Sequence, residues 1–474
     1  GDYIMAGYIG GKAVNLSTSG ADISGTANLD AVDIDGAVQI DATLSVGVND
    51  TGYDVKFFGA TASRHMTWDE SADSLIISGD LDVNDGTIKL DGAYPIGTAN
   101  TALGDAALDS LTSGGSNVAI GNGTLTANTS GNNNVGMGRR ALISNTSGGA
   151  NVAIGLDALY SNTTASNNTA VGYEAGYTNT TGADLALFGY QAGYSNTTGI
   201  RTTAFGRKAL YANTTGSDNT AVGHDAGSNI TTGTGNTAVG RAAMLTSNAN
   251  YNTVIGFEAG KDGAASGSTY NVLVGDNAGK NLAVYSSTFV GSSAGESVTS
   301  GYANSLFGRK AGNKLTSGIN NVIMGYYAGD GLTTGSSNTA IGMNALYNNT
   351  TASNNTAVGY QALYANTTGI DNVAVGHRAL AVQSGSTASY NTAVGHTAGA
   401  AITTGRVNTL IGFAAGQNLT TGQGNVFVGG GRGSGAGGQM TTGDDNTILG
   451  NFSGNQNGLD IRTSSNNIVL SDGD

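Results

Sequence analysis

Cysteine is absent from this 474-residue chain, proline occurs once, at Pro95, and tryptophan once, at Trp68. Without cysteine there is no disulfide framework and no thiolate metal site, and the redox compartment leaves no mark on the sequence. Charged residues make up only 11%, and the net charge is −14. No basic face is available to neutralise phosphates, which argues against nucleic acid and anionic membranes as partners. No run of about 18 apolar residues occurs, so no membrane insertion is expected. The opening "GDYIMAGYIGG" lacks the basic and apolar regions of a signal peptide, and its missing initiator Met suggests a processed chain or a fragment. Only four histidines are present, His65, His224, His377 and His396. No zinc-protease, nucleophile-elbow or phosphate-loop pattern accompanies them.

Glycine, by contrast, is abundant at 78 residues, and it is periodic. The phrase "NNTAVGYEAGYTNTTG" at 167–182 returns as "NNTAVGYQALYANTTG" at 354–369. Glycine without a period argues for disorder, whereas a fixed period argues for stacked repeats. Twenty-one corner glycines run from Gly104 to Gly450, and the step between them is 17 almost throughout. Between Gly240 and Gly291 it is 16, 19 and 16, which restores three whole repeats, as coils that must stay stacked require.

Each place in the repeat carries its own chemistry. Asn stands four residues before the corner glycine in 18 of the 21 repeats, as at Asn168 and Asn355; Leu185, Thr202 and Ser287 replace it elsewhere. Next come a Thr, Val, Ala or Ser, then usually Ala, then a large apolar residue such as Val171 or Val358, then Gly172 or Gly359. This is a short strand. Neither of its faces is plainly polar, so both are expected to be covered. The glycine permits a positive φ or a close approach at the corner. Ala three residues later, followed by Leu or Gly, reads as a second short strand or an extended turn. The stacked asparagines are expected to hydrogen-bond along the pile as a ladder.

The predicted fold is all-β: a parallel β-solenoid or β-roll of about 21 coils with a 17-residue repeat over 96–455. A small acidic β-rich domain over 1–95 precedes it, and a C-terminal segment over 456–474 follows. Helical periodicity is absent, and Gly, Asn and Thr are poor helix formers. At about 4.8 Å per coil the solenoid would be on the order of 100 Å long. A 17-residue coil with mostly Ala inside encloses little, and ordering so much glycine is costly. A homotrimer, in which the second apolar face is buried between chains, is therefore the expected assembly; a lone solenoid and a dimer are the alternatives.

"NVAIGNGTL" at 117–125 and "NNTAVGYEAG" resemble the head repeats of trimeric autotransporter adhesins, whose repeat is shorter. That resemblance implies trimers of left-handed parallel β-rolls. The "NTTG" turns and "ALY" phrases are similar to phage tail-fibre proteins, especially those of marine phages. The segment "YDVKFFGATASRHMTWDESADSLIISGDLDV" at 53–83 and the closing "NNIVLSDGD" at 466–474 resemble fibre segments flanking such repeats. The resemblance implies a non-enzymatic virion tail-fibre shaft that presents host-recognition elements. Its partners would be itself, other virion fibre proteins and a host cell-surface glycan or protein. A bacterial trimeric surface adhesin or a self-assembling extracellular filament is the alternative.

Residues 1–95 hold 15 acidic and 4 basic residues, so most of the excess negative charge lies there. Alternation in "ANLDAVDIDGAVQIDATLSVG" at 27–47 marks half-buried strands. Trp68 reads as a core or interface anchor, and "DIDG" at 33–36 is too short for a calcium loop. "GGGRGSGAGG" at 429–438 reads as a flexible excursion or a receptor-facing loop. Three histidines follow corner glycines and read as exposed polar residues. The scattered acids Glu174, Asp225 and Glu258 lack the pairing that glycoside hydrolysis needs. No catalytic residue, metal site or cofactor is expected.

Tyr160, Tyr177, Tyr194 and Tyr211 share one coil position, as do Tyr347 and Tyr364. Stacked one coil apart they would form an aromatic ladder that either packs at an interface or contacts host glycans. "NTT" at Asn162, Asn179, Asn196 and Asn213 fits a glycosylation sequon, though for a phage or bacterial protein a turn suffices to explain it. An ice-binding solenoid would need a flat exposed Thr array, whereas Thr at the strand site alternates with Val.

Overall fold

The computed structural model describes residues 55–58, 65–69, 74–78 and 99–471, apart from 247, 264–267, 385–387 and 432. The segments at 27–47 and 33–36 singled out above lie outside the described residues. The chain divides into two units, residues 1–89 and 90–474. In the first, β1 (Val55–Phe58), β2 (His65–Asp69) and β3 (Ser74–Ser78) form an antiparallel meander. Trp68 stands opposite Val55 on one side and Leu75 on the other.

The second unit is a parallel β-solenoid. Among the described residues twenty-two three-residue strands, from Thr101–Leu103 to Ile468–Leu470, pair one coil to the next in a single open series. Register never slips: Thr169, Ala170 and Val171 face Ala186, Leu187 and Phe188. Identical phrases stack on identical phrases, so every strand finds the same partner pattern above and below. The steps of 16, 19 and 16 leave the strands paired in register, so the turns absorb the differences in length. The 21-residue step does the same, with Ala436 inside the glycine run and Met440 just after it buried in the core. The series continues through the C-terminal segment, where Ile468–Leu470 pairs with Thr447–Leu449.

Among the described residues each coil up to Gly450 carries one strand; after Gly450 a short antiparallel pair, Asn455–Gln456 with Leu459–Asp460, precedes the last strand. The Ala-containing phrase after the corner is a turn rather than a second strand. The coil around Gly172 shows why. Gly172 has φ +139, Glu174 +53, Gly176 +63 and Asp184 +59, so the chain reverses through successive left-handed residues. Non-glycine residues hold such angles only at a cost. Hydrogen bonds between coils offset it: Glu174 N–H donates to Leu156 O at 2.9 Å and Gly172 N–H to Ile154 O at 2.8 Å. The corner itself admits no side chain, because a Cβ on Gly172 would collide with the backbone of Gly189 one coil on.

The core is thin, and one rule governs most of it. The middle strand residue and the residue four after the corner share one space. Where the first is Ala the second is usually Leu, as in Ala153 with Leu159 and Ala357 with Leu363. Where the first is large the second is Gly, as in Leu187 with Gly193 and Phe289 with Gly295. A Cβ on Gly193 would stand 2.7 Å from Leu187 Cδ2. Ala170 and Gly176 are both small, and there Leu159 and Leu187 lean in from the adjoining coils.

Candidate functional site

Because strand side chains alternate, the middle residue of each strand points inward and its neighbours point out. Ala170 is fully buried, whereas Thr169 and Val171 are only half-buried. Within one chain only one strand face is covered, because a coil this small has an interior on one side only; cover for the other face would have to come from a second chain. On the outer face the first strand residue is most often Thr, whereas the last is apolar in every strand, with Leu103 45%, Phe205 57% and Met324 44% exposed. Val358 lies on the same face, half-buried.

The strand-entry asparagines point inward and are linked. Asn168 N–H donates to Asn151 Oδ1 at 3.0 Å, its Nδ2 donates to Gly182 O at 2.9 Å, and its Oδ1 accepts Leu185 N–H at 3.0 Å. Asn355 repeats the arrangement with Asn338, Gly369 and Asn372. A second ladder was not read from the sequence. The "NTT" asparagines are buried, and Asn179, Asn196 and Asn213 each donate to the Asn one coil before at 2.8–2.9 Å. The signal was their recurrence at a fixed place in the coil; buried amides are not open glycosylation acceptors. The adjoining threonines are also engaged, Thr180 Oγ1 donating to Thr197 O at 3.0 Å.

Tyr160, Tyr177, Tyr194 and Tyr211 stack with centroid spacings of 4.9, 5.2 and 5.1 Å, and Tyr347 stacks on Tyr364 at 5.3 Å. All six are half-buried. Their ring faces are turned toward one another, which leaves edges and hydroxyls outward. Lys208 Nζ lies 5.1 Å from the Tyr211 ring and Arg140 Cζ 5.2 Å from that of Tyr160. Burial pushes the Tyr194 hydroxyl pKa up, with Glu174 adding to it. A second column follows the corner glycines, where Tyr360, His377, His396 and Phe413 stack at 5.2, 4.7 and 5.3 Å. His224 is placed otherwise, between Arg207 and Asp225.

The scattered acids are each held by a neighbour. Glu174 accepts from Gln191 Nε2 at 2.8 Å, Asp225 pairs with His224 at 2.9 Å, and Glu258 bridges Lys261 and Lys280 at 3.0 and 3.1 Å. Hydrogen bonds from Lys261 and Lys280 hold the Glu258 carboxyl below its usual range, and Arg201 does the same for Asp218. Among the described residues no group of three or more His, Cys, Asp and Glu could hold a metal, and no helix is long and apolar enough to cross a membrane.

What the solenoid presents is thus a set of parallel columns, each repeating one chemistry at coil spacing. Comparison with protein-family models, with curated proteins and with solved structures finds no match.

Proposed function

We propose that this chain is a non-enzymatic shaft segment of an extracellular fibre, a virion tail fibre by its resemblance, assembled as a homotrimer. One observation carries the reading: an unbroken in-register strand series whose last outward column is apolar in every strand and only half-buried or exposed. A continuous apolar strip of that kind marks an interaction surface. Its constancy from coil to coil fits a partner with the same repeat, and a second copy of the chain has it. The columns give rigidity, because backbone bonds tie each coil to the next, and the entry-Asn ladder over most coils, a second amide ladder and stacked rings over parts of the series add to them. The half-buried tyrosine ladders are packing elements in this reading, since their ring faces are already occupied.

Light scattering on the purified chain tests the assembly. The expected mass is three times the 47.0 kDa of one chain, and a mass of one chain at micromolar concentration would sink the trimer. Negative-stain images are expected to show a straight segment about 100 Å long. Phe205→Glu, on the outer strand face, is expected to shift the mass toward one chain while the β-sheet circular dichroism persists.

A further inference from the structure

We propose that a trough near the C-terminal end of the solenoid binds a short neutral oligosaccharide. It is lined by Tyr390, Arg406, Val407, Gln423, Gly424 and Asp445. Tyr390, Val407, Gly424 and Asp445 hold one coil position, five residues before the corner glycine, in four consecutive coils. Arg406 and Gln423 stand beside them on the preceding position. The outer two members are about 14 Å apart at the rise of a parallel sheet.

The backbone beneath is rigid. Tyr390 N–H donates to Ile370 O, Val407 N–H to Ser389 O, Gly424 N–H to Arg406 O and Asp445 N–H to Gln423 O, at 2.9–3.2 Å. All four residues sit at left-handed angles, φ +61, +57, +68 and +55. Tyr390 is one of three tyrosines held at this position, with Tyr251 and Tyr270 at φ +55 and +60, and 57% of its surface is exposed. Tyr251 and Tyr270, at the same position, stack on each other at 5.5 Å, but the neighbours of Tyr390 at this position are Asp371 and Val407. At Gly424 the missing side chain leaves the floor open, and the Asp445 carboxylate leans over it: a Cβ on Gly424 would meet Asp445 Oδ1. Arg406 Nε donates to Gln423 Oε1 at 3.0 Å, so the two planar groups are oriented together.

The chemistry selects the ligand. Tyr390 and Val407 offer apolar surface for the C–H face of a pyranose. Asp445 accepts hydrogen bonds, Arg406 donates them and Gln423 can do both. Arg406 is balanced by Asp445, and Asp444, which accepts from Gln423 N–H at 2.8 Å, and Asp371 add negative charge at the margins. The trough therefore has no excess positive charge and suits a neutral sugar better than a phosphate or a sulfated glycan. The inference deepens the fibre reading, giving it a recognition element, and rests on it for its biological use.

The test uses the full chain and three neutral probes, cellotriose, maltotriose and triacetylchitotriose, in saturation-transfer NMR and calorimetric titration. At least one is expected to bind. Tyr390→Ala and Asp445→Ala are each expected to weaken that binding about tenfold or more, whereas Tyr270→Ala, at the same position in another coil, leaves it unchanged. Absence of binding by all three probes, or unchanged affinity in both trough variants, overturns the proposal. Mass and rod length of the same samples are measured alongside. A failure of the sugar site with an intact trimeric rod is thereby separated from a failure of the fibre reading.

Discussion

At the scale of single residues, the least replaceable positions are those where backbone meets backbone. Gly172 combines φ +139 with the carbonyl of Gly189 lying where a side chain would begin. Gly172→Ala is expected to cost about 3 kcal/mol or more, because that backbone region is nearly closed to other residues; a denaturant midpoint reads it. Asn355→Ala removes a buried amide whose partners stay behind. It is expected to cost about 1–3 kcal/mol, less than the glycine change, since Leu185, Thr202 and Ser287 occupy the same column without breaking it. Titration adds a residue-level effect. Arg201 lowers the Asp218 pKa, and Lys261 and Lys280 lower that of Glu258. A carboxylate with a depressed folded pKa stabilises above its unfolded value, near 4, and loses that contribution as pH falls through the folded value. Thermal midpoints should therefore be level from pH 7 to 5 and drop below about pH 4, and Asp218→Asn should make the acid drop shallower.

At the scale of one coil, the shared space of the middle strand residue and the residue four after the corner makes a reciprocal prediction. Leu187→Ala alone opens a cavity and is expected to cost about 2–5 kcal/mol. Gly193→Leu alone drives a side chain into Leu187 and is expected to cost about 1–3 kcal/mol. Together they rebuild the Ala–Leu coil that already exists at Ala204 and Leu210, where leucine holds φ +51. The double variant should recover most of the loss, and strictly additive penalties would refute the shared space. This rule also marks where sequence reading stopped. Strand, corner and Asn ladder were legible because each occupies one column and repeats one residue type. The alternation of Leu with Gly after Ala175, Ala192 and Ala209 was visible too, but its meaning depends on which two positions meet across the coil. The turn was ambiguous for a different reason. Left-handed Glu174 and Leu159 carry no compositional signature, since bonds between coils hold those angles. Which chain covers the outer face is not written in the strand, because strand apolarity reports burial without saying which chain provides it. The Tyr390 trough was not legible at all, because its residues differ from coil to coil.

At the scale of the whole solenoid, stability is a sum over coils and the interfaces between them, which makes the coil the unit that can be removed. Met343–Gly359 is one complete 17-residue coil, flanked by a coil with the same core pattern: Ala340 with Leu346, then Ala357 with Leu363. Deleting it joins Gly342 to Tyr360. Asn338 then stands one step from Asn372 in the entry ladder, and Ala340 shares its space with Leu363. One coil and one interface are lost and no new surface is exposed, so the melting temperature is expected to stay within a few degrees. Deleting only Met343–Thr351 removes nine residues and leaves the following strand out of step with its corner, its amides and its core partner. Every coil downstream must then be displaced or restart its stack, and a large drop in midpoint or a second transition is expected. Circular dichroism melts of both deletions decide the matter. Equal damage from the two would mean that the coil is not the unit of this fold, and that the 17-residue period is a habit of sequence rather than the interval at which the structure repeats.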